Sequence, residues 1–314
     1  MTPWLSVIMP VHNGANYLAD ALAGISAENP DGVEVLIYNS AEDGGAARRI
    51  ADRFAGRLDI VWRDTPELDS WTRKTNRGVA DARADYVVVL PHDDLWLPGH
   101  LAELRRAIAT DPDVALSVAN VRYAGADGRL LGLWHVPFAP GRVRGEEFAA
   151  TLLVQNNVCV TSALIRRDAF LACGGVDETL WYTGDWDLYL KLARRGDVRV
   201  RKAVTTAYRV HGGALTISGS RDEGEFRRQH EIVLARHPAA LASTRGLERR
   251  ARTGIAVNCA LAAASAGRFG ALPRVMVSLV GLGPLGLARF LAQSRIIDRL
   301  RPRLRMRLGL GGAS

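Results

Sequence analysis

The sequence predicts an α/β fold built on a mostly parallel central sheet, with added antiparallel strands and a helical, basic C-terminal tail. Three observations carry that expectation. Up to residue 97, short β-branched runs alternate with longer amphipathic stretches, which is the pattern of successive βαβ units. Farther on, Asp127-Gly128 stands between two apolar runs, a hairpin signal. From Gly246 onward the composition changes, with twelve arginines and no lysine against only Glu248 and Asp298, a net of +10.

Taken in order, 5–11 (LSVIMPV), 33–38, 58–62 and 86–90 read as strands, and 17–27, 45–55 and 71–84 read as helices between them. A helix opening on Pro98 is expected over 98–110, then strands over 114–123 and 130–134 flanking the Asp127-Gly128 turn. The segments 145–154, 167–173 and 186–195 read as helical, and 159–166 and 199–210 as extended. In the tail, 255–266, 272–287 and 288–300 read as helices broken at Gly283-Pro284. These elements suggest a main domain over 1–241 and a separate helical, Arg-rich region over 246–314.

Composition narrows the function classes. At 314 residues, 48% hydrophobic and 24% charged, the chain is an ordinary folded one, which excludes wholesale disorder, collagen-like repeats and a multi-span membrane protein. No apolar run reaches the ~18 residues of a spanning helix. The net charge of +8 invites a nucleic-acid partner until it is located: residues 1–245 hold 29 basic and 31 acidic groups, a net of −2. The excess is all in the tail, so no nucleic acid is expected. Cys159, Cys173 and Cys259 lack the number and spacing of a disulfide framework or a zinc site. The uncharged start is interrupted by Pro3, Pro10, Asn13 and Asn16 and lacks a signal's basic segment, so a cytoplasmic location is expected.

In a parallel sheet, ligands sit at the carboxyl ends of the strands, so the residues that follow each strand matter most. After the first come Pro10-Val11-His12-Asn13-Gly14, with neither G-x-G-x-x-G nor a P-loop. Asn13-Gly14 alone also fits a turn or a cap. After the second, Asn39, Ser40 and Asp43 could bond a base or ribose. After the fourth come Asp93 and Asp94, adjacent carboxylates that suit a hard cation such as Mg²⁺ or Mn²⁺ with positions left open for phosphates. Capping could also explain an Asp pair, but Pro98 starts the next helix without needing it. Asp185 and Asp187 open an amphipathic helix; being two apart they cannot point the same way, so one is expected in a cleft. An N-cap is the plainer alternative.

The ordered set S-V-I-M-P-V-H-N-G, N-R-G-V-A-D-A-R-A-D-Y-V-V-V-L-P-H-D-D-L-W-L-P-G-H-L, S-A-L-I-R-R-D-A-F, G-G-V-D-E-T-L, G-D-W-D-L-Y-L-K-L-A and Y-R-V-H resembles the family 2 glycosyltransferases, over 4–215. The resemblance implies the GT-A fold, with a nucleotide-binding half over 1–97 and an acceptor-binding half over 98–241. It implies transfer of a sugar from a nucleotide-diphosphate donor to an acceptor hydroxyl, with inversion. Asp94 would be the Mn²⁺ or Mg²⁺ ligand, Asp93 nearer the ribose and the metal shell, His211 a further metal ligand, and Asp185 the general base. The donor would lie along Pro10, Val11, His12, Asn13 and Asn39, with Trp71, Lys74 and Asn76 near the base or diphosphate.

Three departures from the family pattern stand out. Asn39-Ser40-Ala41-Glu42 replaces an acidic D-D-G-S, Pro91-His92 replaces Asp-Ser or Asp-Ala, and Gly184 replaces a Glu beside the base. Asn156, Asn157, Trp181, Tyr182 and Trp186 flank the catalytic segment and have the side chains that bind sugars, as they have those of ordinary packing. A saccharide or lipid-linked saccharide acceptor, in surface-polysaccharide or glycolipid synthesis, is the expected context. The competing readings are a catalytically silent sugar-binding or scaffolding domain and a nucleotidyltransferase; the latter would want a glycine-rich basic loop after the first strand.

The tail places Arg295, Arg299, Arg301, Arg303, Arg305 and Arg307 beside Val, Leu and Phe. Such a surface, over 272–307, suits peripheral attachment to the inner face of a membrane, where each basic residue contributes ~1 kcal/mol. The alternative is a hairpin packed on the main domain. If the tail is only an attachment, deletion after Thr244 should leave donor turnover intact.

Overall fold

The structure is a computed structural model and describes residues 2–213, 222–242, 244–265, 267–298 and 300. Its first part is β1 (Leu5–Val11), α1 (Leu18–Ser26), β2 (Val33–Asn39), α2 (Ala46–Asp52), β3 (Asp59–Asp64), α3 (Trp71–Asp81) and β4 (Tyr86–Val89). These strands are parallel in the order β3-β2-β1-β4. Register sets Val11 beside Asn39 and Asn39 beside Asp64, so three strand ends form one row. β1 and β2 are buried along their whole length, as near-continuous apolar runs covered on both faces should be.

The second part comprises β5 (Leu95–Trp96), α4 (His100–Thr110), β6 (Leu116–Ala119), β7 (Val121–Ala124), β8 (Leu130–Trp134), β9 (Gly141–Val143), α5 (Gly145–Val154), β10 (Leu164–Arg166), α6 (Arg167–Ala172), α7 (Gly184–Ala193), β11 (Val198–Arg201) and β12 (Thr206–Arg209). The main sheet continues past β4 as β10-β6-β11-β9, and a second sheet runs β5-β12-β7-β8. The Asp127-Gly128 hairpin is present as β7 and β8. The expected strand over 114–123 is two strands in different sheets, broken at Asn120, whose side chain accepts from the Val136 amide at 2.8 Å. Extended 199–210 divides the same way into β11 and β12. The helix expected at Pro98 begins at His100, because Gly99 takes a left-handed φ of 86° just before it.

The helices α8 (Glu223–Arg236), α9 (Pro238–Ala242), α10 (Leu247–Ser265), α11 (Leu272–Gly281) and α12 (Gly283–Ser294) follow. Two cores sandwich the main sheet. Val7, Met9 and Val11 of β1 pack with Leu18, Leu22, Leu101 and Leu104, while Ile8 faces a core containing Val79, Phe148, Leu152, Leu188 and Leu192. Leu247, Ala251, Ile255 and Phe290 belong to this latter core, so the tail is packed into the body. A Cβ on Gly254 would stand 2.2 Å from the Val154 carbonyl oxygen, which shows how closely the α10 and α5 backbones approach.

Candidate active site

The strand ends form a connected polar floor. Lys74 on α3 is 2% exposed and donates to the Val11 carbonyl (2.8 Å) and the Ser40 hydroxyl (2.6 Å). Burial pushes its ammonium down to about 8. His12 Nδ1 lies 3.1 Å from Ser40 Oγ, and His92 Nδ1 lies 3.4 Å from the Pro10 carbonyl oxygen. Pro10 and Val11 are buried while His12 and Asn13 are exposed, Asn13 in the left-handed region at φ 53°. Lys74 therefore holds the floor together from beneath and presents almost no surface of its own to a ligand. Asn39, 4% exposed, closes a turn on Ala41 and donates to Asp64 at 3.4 Å. Asp64 is an exposed carboxylate at a strand end that sequence reasoning passed over; its position after the third strand was the available signal.

The Asp93–Asp94 pair is oriented opposite to expectation. Asp94 is 1% exposed, and its carboxylate accepts from the Arg209 amide (2.9 Å) and the Thr161 hydroxyl. Burial, then the charge of Asp93, push its carboxyl well above the usual range. Asp94 is a packing element rather than the metal ligand expected of it. Asp93 is partly exposed, and its Oδ2 lies 2.9 Å from His211 Nε2, so these two side chains converge. Burial alone would raise the Asp93 carboxyl; the hydrogen bond with His211 and the charges of His92 and His211 hold it below the usual range. The His211 ring packs on Tyr17 at 4.7 Å. Arg209, 1% exposed, donates to the carbonyls of Asp93 (2.8 Å) and Ala126 (2.9 Å) and to Asp20 (2.8 Å), and lies over the Tyr17 ring. Nothing in the sequence pattern singled it out.

Among the described residues no group of three or more His, Cys, Asp or Glu converges. Asp93 with His211 nevertheless suits Mg²⁺ or Mn²⁺ in a nucleotide site, where water and phosphate oxygens fill most of the coordination shell.

The other acidic centre opens α7. Asp185 is partly buried, accepts from the Trp186 amide (2.7 Å) and from Asn156 (3.2 Å), and burial raises its carboxyl to about 6. Asp187 is the structural member of the pair, 1% exposed and bonded by His237 and Lys191. Residues 156–161 link the two centres, with Asn156 on Asp185 and Thr161 on Asp94. Cys159 lies between them, its thiol pushed up by burial and by the charges of Asp94 and Asp185.

Several further expectations need correction. Trp71 and Asn76 sit on the Asp185 side of α3: the Trp71 indole donates to the Trp181 carbonyl (2.6 Å), and Asn76 clasps Val176 through donor and acceptor and reaches Glu178. Asn157 is fully buried and donates to the Gln293 carbonyl (2.7 Å); Trp186 is 3% exposed and donates to the Leu152 carbonyl (2.8 Å). Both are core residues, so neither meets an acceptor. Trp181, Tyr182 and Asn156 remain partly exposed around Asp185. At Gly184 an added Cβ would lie 2.7 Å from Val176 Cγ1, so the missing family Glu reflects a tightly packed helix start.

Solved structures share this architecture. The Staphylococcus aureus TarS structure of residues 1–349 with UDP-GlcNAc superposes with a TM-score of 0.59 at 14% identity, covering 97% of this chain and 92% of that one. The mannosyltransferase PcManGT of Pyrobaculum calidifontis, solved with GDP-Man and Mn²⁺, gives 0.55 at 19% identity over 93% and 86%. The fold is therefore GT-A. Among curated proteins, the succinoglycan biosynthesis protein ExoU of Rhizobium meliloti is 28% identical over 72% of this chain and 67% of its own. An uncharacterized glycosyltransferase of Rickettsia typhi is 26% identical over 68% and 66%, and one of Rickettsia bellii is 26% identical over 70% and 32%. The chain thus spans from about a third to two thirds of the length of these Rickettsia relatives. Residues 6–241 match the family described as "Glycosyltransferase like family 2", and the chain belongs to that family.

Proposed function

We propose that the chain is an inverting glycosyltransferase that moves a sugar from a nucleotide-diphosphate donor to an acceptor hydroxyl in polysaccharide or glycolipid synthesis. The carrying observation is Asp185: a partly buried carboxylate, held by Asn156 and the Trp186 amide, with its pKa raised by burial to about 6. A base of that strength is ionised at neutral pH yet takes a proton more readily than an ordinary carboxylate. Asp185 would accept the acceptor hydroxyl's proton as that oxygen bonds to the anomeric carbon. The bond from that carbon to the leaving phosphate oxygen breaks on the opposite face, and its electron pair departs with the nucleoside diphosphate.

Asp93 and His211 would hold Mn²⁺ or Mg²⁺, which supplies neutralisation of charge on the diphosphate. His12, Asn13 and Asp64 would line the donor's end and Trp181, Tyr182 and Asn156 the acceptor's. The relative named for succinoglycan biosynthesis supports a saccharide acceptor.

The test is donor turnover by the purified chain against a panel of nucleotide sugars with Mn²⁺, in parallel with Asp185→Asn. The expected result is metal-dependent turnover that Asp185→Asn lowers by ~10²–10⁴-fold. Equal turnover in the variant would remove Asp185 from the reaction, and no turnover with any donor would favour a silent sugar-binding domain.

A further inference from the structure

The exposed apolar surface of the molecule is concentrated in one place. Of the ten large hydrophobic side chains exposed among the described residues, eight fall between Phe269 and Ile297. On α11, Leu272, Met276 and Val280 recur every four residues and share one face, with Val277 beside them. Val277, Val280 and Leu285 are 73%, 74% and 76% exposed. The opposite faces are the anchored ones, through Val275 of α11 and Phe290 of α12. These helices therefore carry apolar side chains on both faces, one against the core and one outward, where a solvated helix would be polar.

Charge says what the outward face fits. Between Glu248 and Asp298 there is no acidic residue, and Arg274 and Arg289 are exposed in that stretch. Arg299, Arg301, Arg303, Arg305 and Arg307 continue the series in residues whose placement lies outside those described, except that 300 between them is described. A groove of about 630 Å³ between α10 and α11 is lined by Arg249, Arg252, Ser278 and Gly281, which places two guanidiniums beside the same hairpin. Arg249 donates to the Gly281 carbonyl (3.1 Å) and Arg252 is paired with Glu248 (2.8 Å). No single described helix is long and apolar enough to cross a membrane; α11 and α12 are apolar enough together but bend by 114° between them. Apolar side chains, flanking arginines and a sharp bend fit a hairpin lying in a membrane interface.

We propose that the α11–α12 hairpin is a docking surface for an anionic bilayer, with Val277, Val280 and Leu285 among the acyl chains and Arg274 and Arg289 at lipid phosphates. The surface is argued independently of sugar transfer, and its test needs no donor.

The full-length chain is mixed with phosphatidylglycerol–phosphatidylcholine vesicles, or with phosphatidylcholine vesicles alone, at physiological salt and sedimented. The parent should sediment with the anionic vesicles and remain in solution with the neutral ones. Val277→Asp/Val280→Asp/Leu285→Asp, confined to exposed positions, should keep the parent's circular dichroism and melting temperature while binding more than ~10-fold more weakly. Arg274→Glu/Arg289→Glu should also reduce anionic binding. Failure of the parent to sediment with anionic vesicles would overturn the proposal, as would unchanged binding by the triple variant. A lipid-free dimer that the triple variant converts to monomer, seen by light scattering, would assign the face to a second copy instead.

Discussion

Asp185 owes its basicity to its surroundings, and that makes its role measurable in two ways. Because burial raises the carboxyl to about 6, the transfer rate at limiting substrate should fall about ten-fold per pH unit below 6 and level off above it. The same shift sets the sign for stability. Folding favours the protonated form, so the ionised group is a cost to the native state that is complete above pH 6 and vanishes below about 4. Asp185→Asn should therefore lower transfer by ~10²–10⁴-fold, raise the melting temperature at pH 8 and leave it unchanged near pH 3. A loss of stability at pH 8 would show that the carboxylate is structural.

The Asp93–Asp94 pair separates the same way. Asp94→Leu leaves the buried Thr161 hydroxyl and Arg209 amide without their acceptor and should cost ~1–3 kcal/mol. Asp93→Asn should lower the melting temperature modestly at neutral pH, by losing the carboxylate that His211 holds ionised, and remove the Mn²⁺-dependent part of nucleotide-diphosphate binding, read by thermal shift. That acidic residues end the fourth strand was legible in the sequence; which one points outward was not. Their orientation is decided by Thr161 and Arg209, partners 67 and 115 residues away along the chain.

At the scale of elements, legibility followed burial. The first, second and fourth strands were readable to within one or two residues because their β-branched runs are covered on both faces, and β3, an edge strand with exposed ends, was readable from its apolar centre. The second half was harder, since β6–β7 and β11–β12 each change sheet within one stretch that reads as extended, and periodicity does not register a change of sheet. The helix α8 was missed because its sequence, EGEFRRQHEIVLAR, is mostly polar; its buried Gln229 nevertheless holds the Tyr182 amide at 2.9 Å. Arg209 shows what β12 contributes to the site. It ties Asp93, Ala126 and Asp20, on three separate segments, behind the Asp93–His211 pair. Arg209→Ala should cost roughly 1–3 kcal/mol, because it leaves the Asp93 and Ala126 carbonyls without their donor, and should weaken nucleotide-diphosphate binding. Arg209→Lys keeps the charge but lacks the planar fork that reaches several acceptors, so it should recover little of either.

Over the whole molecule, charge and packing divide the chain differently. The split into −2 and +10 marks the tail as a separate unit, but charge reports surface, and the surface can be partitioned where the core is not. Leu247, Ile255 and Phe290 are at most 4% exposed and lie in the same core as Phe148 and Leu152 of the body. Burial of three such side chains contributes ~5–9 kcal/mol, comparable to the ~5–15 kcal/mol that keeps a whole domain folded. Deletion after Thr244 should therefore cost the fold itself rather than simply detach a membrane anchor, contrary to the expectation of intact donor turnover. Gly254→Leu tests the same contact without shortening the chain. Its side chain would meet the Val154 carbonyl, which belongs to a helix backbone and cannot move aside, so α10 must lift from α5. The expected result is a large fall in melting temperature for both changes, with near-ultraviolet circular dichroism lost in the truncation. If the chain ending at Thr244 melted like the parent, the tail would be an appendage, and the link from α12 through Gln293 to Asn157 would be dispensable to the fold.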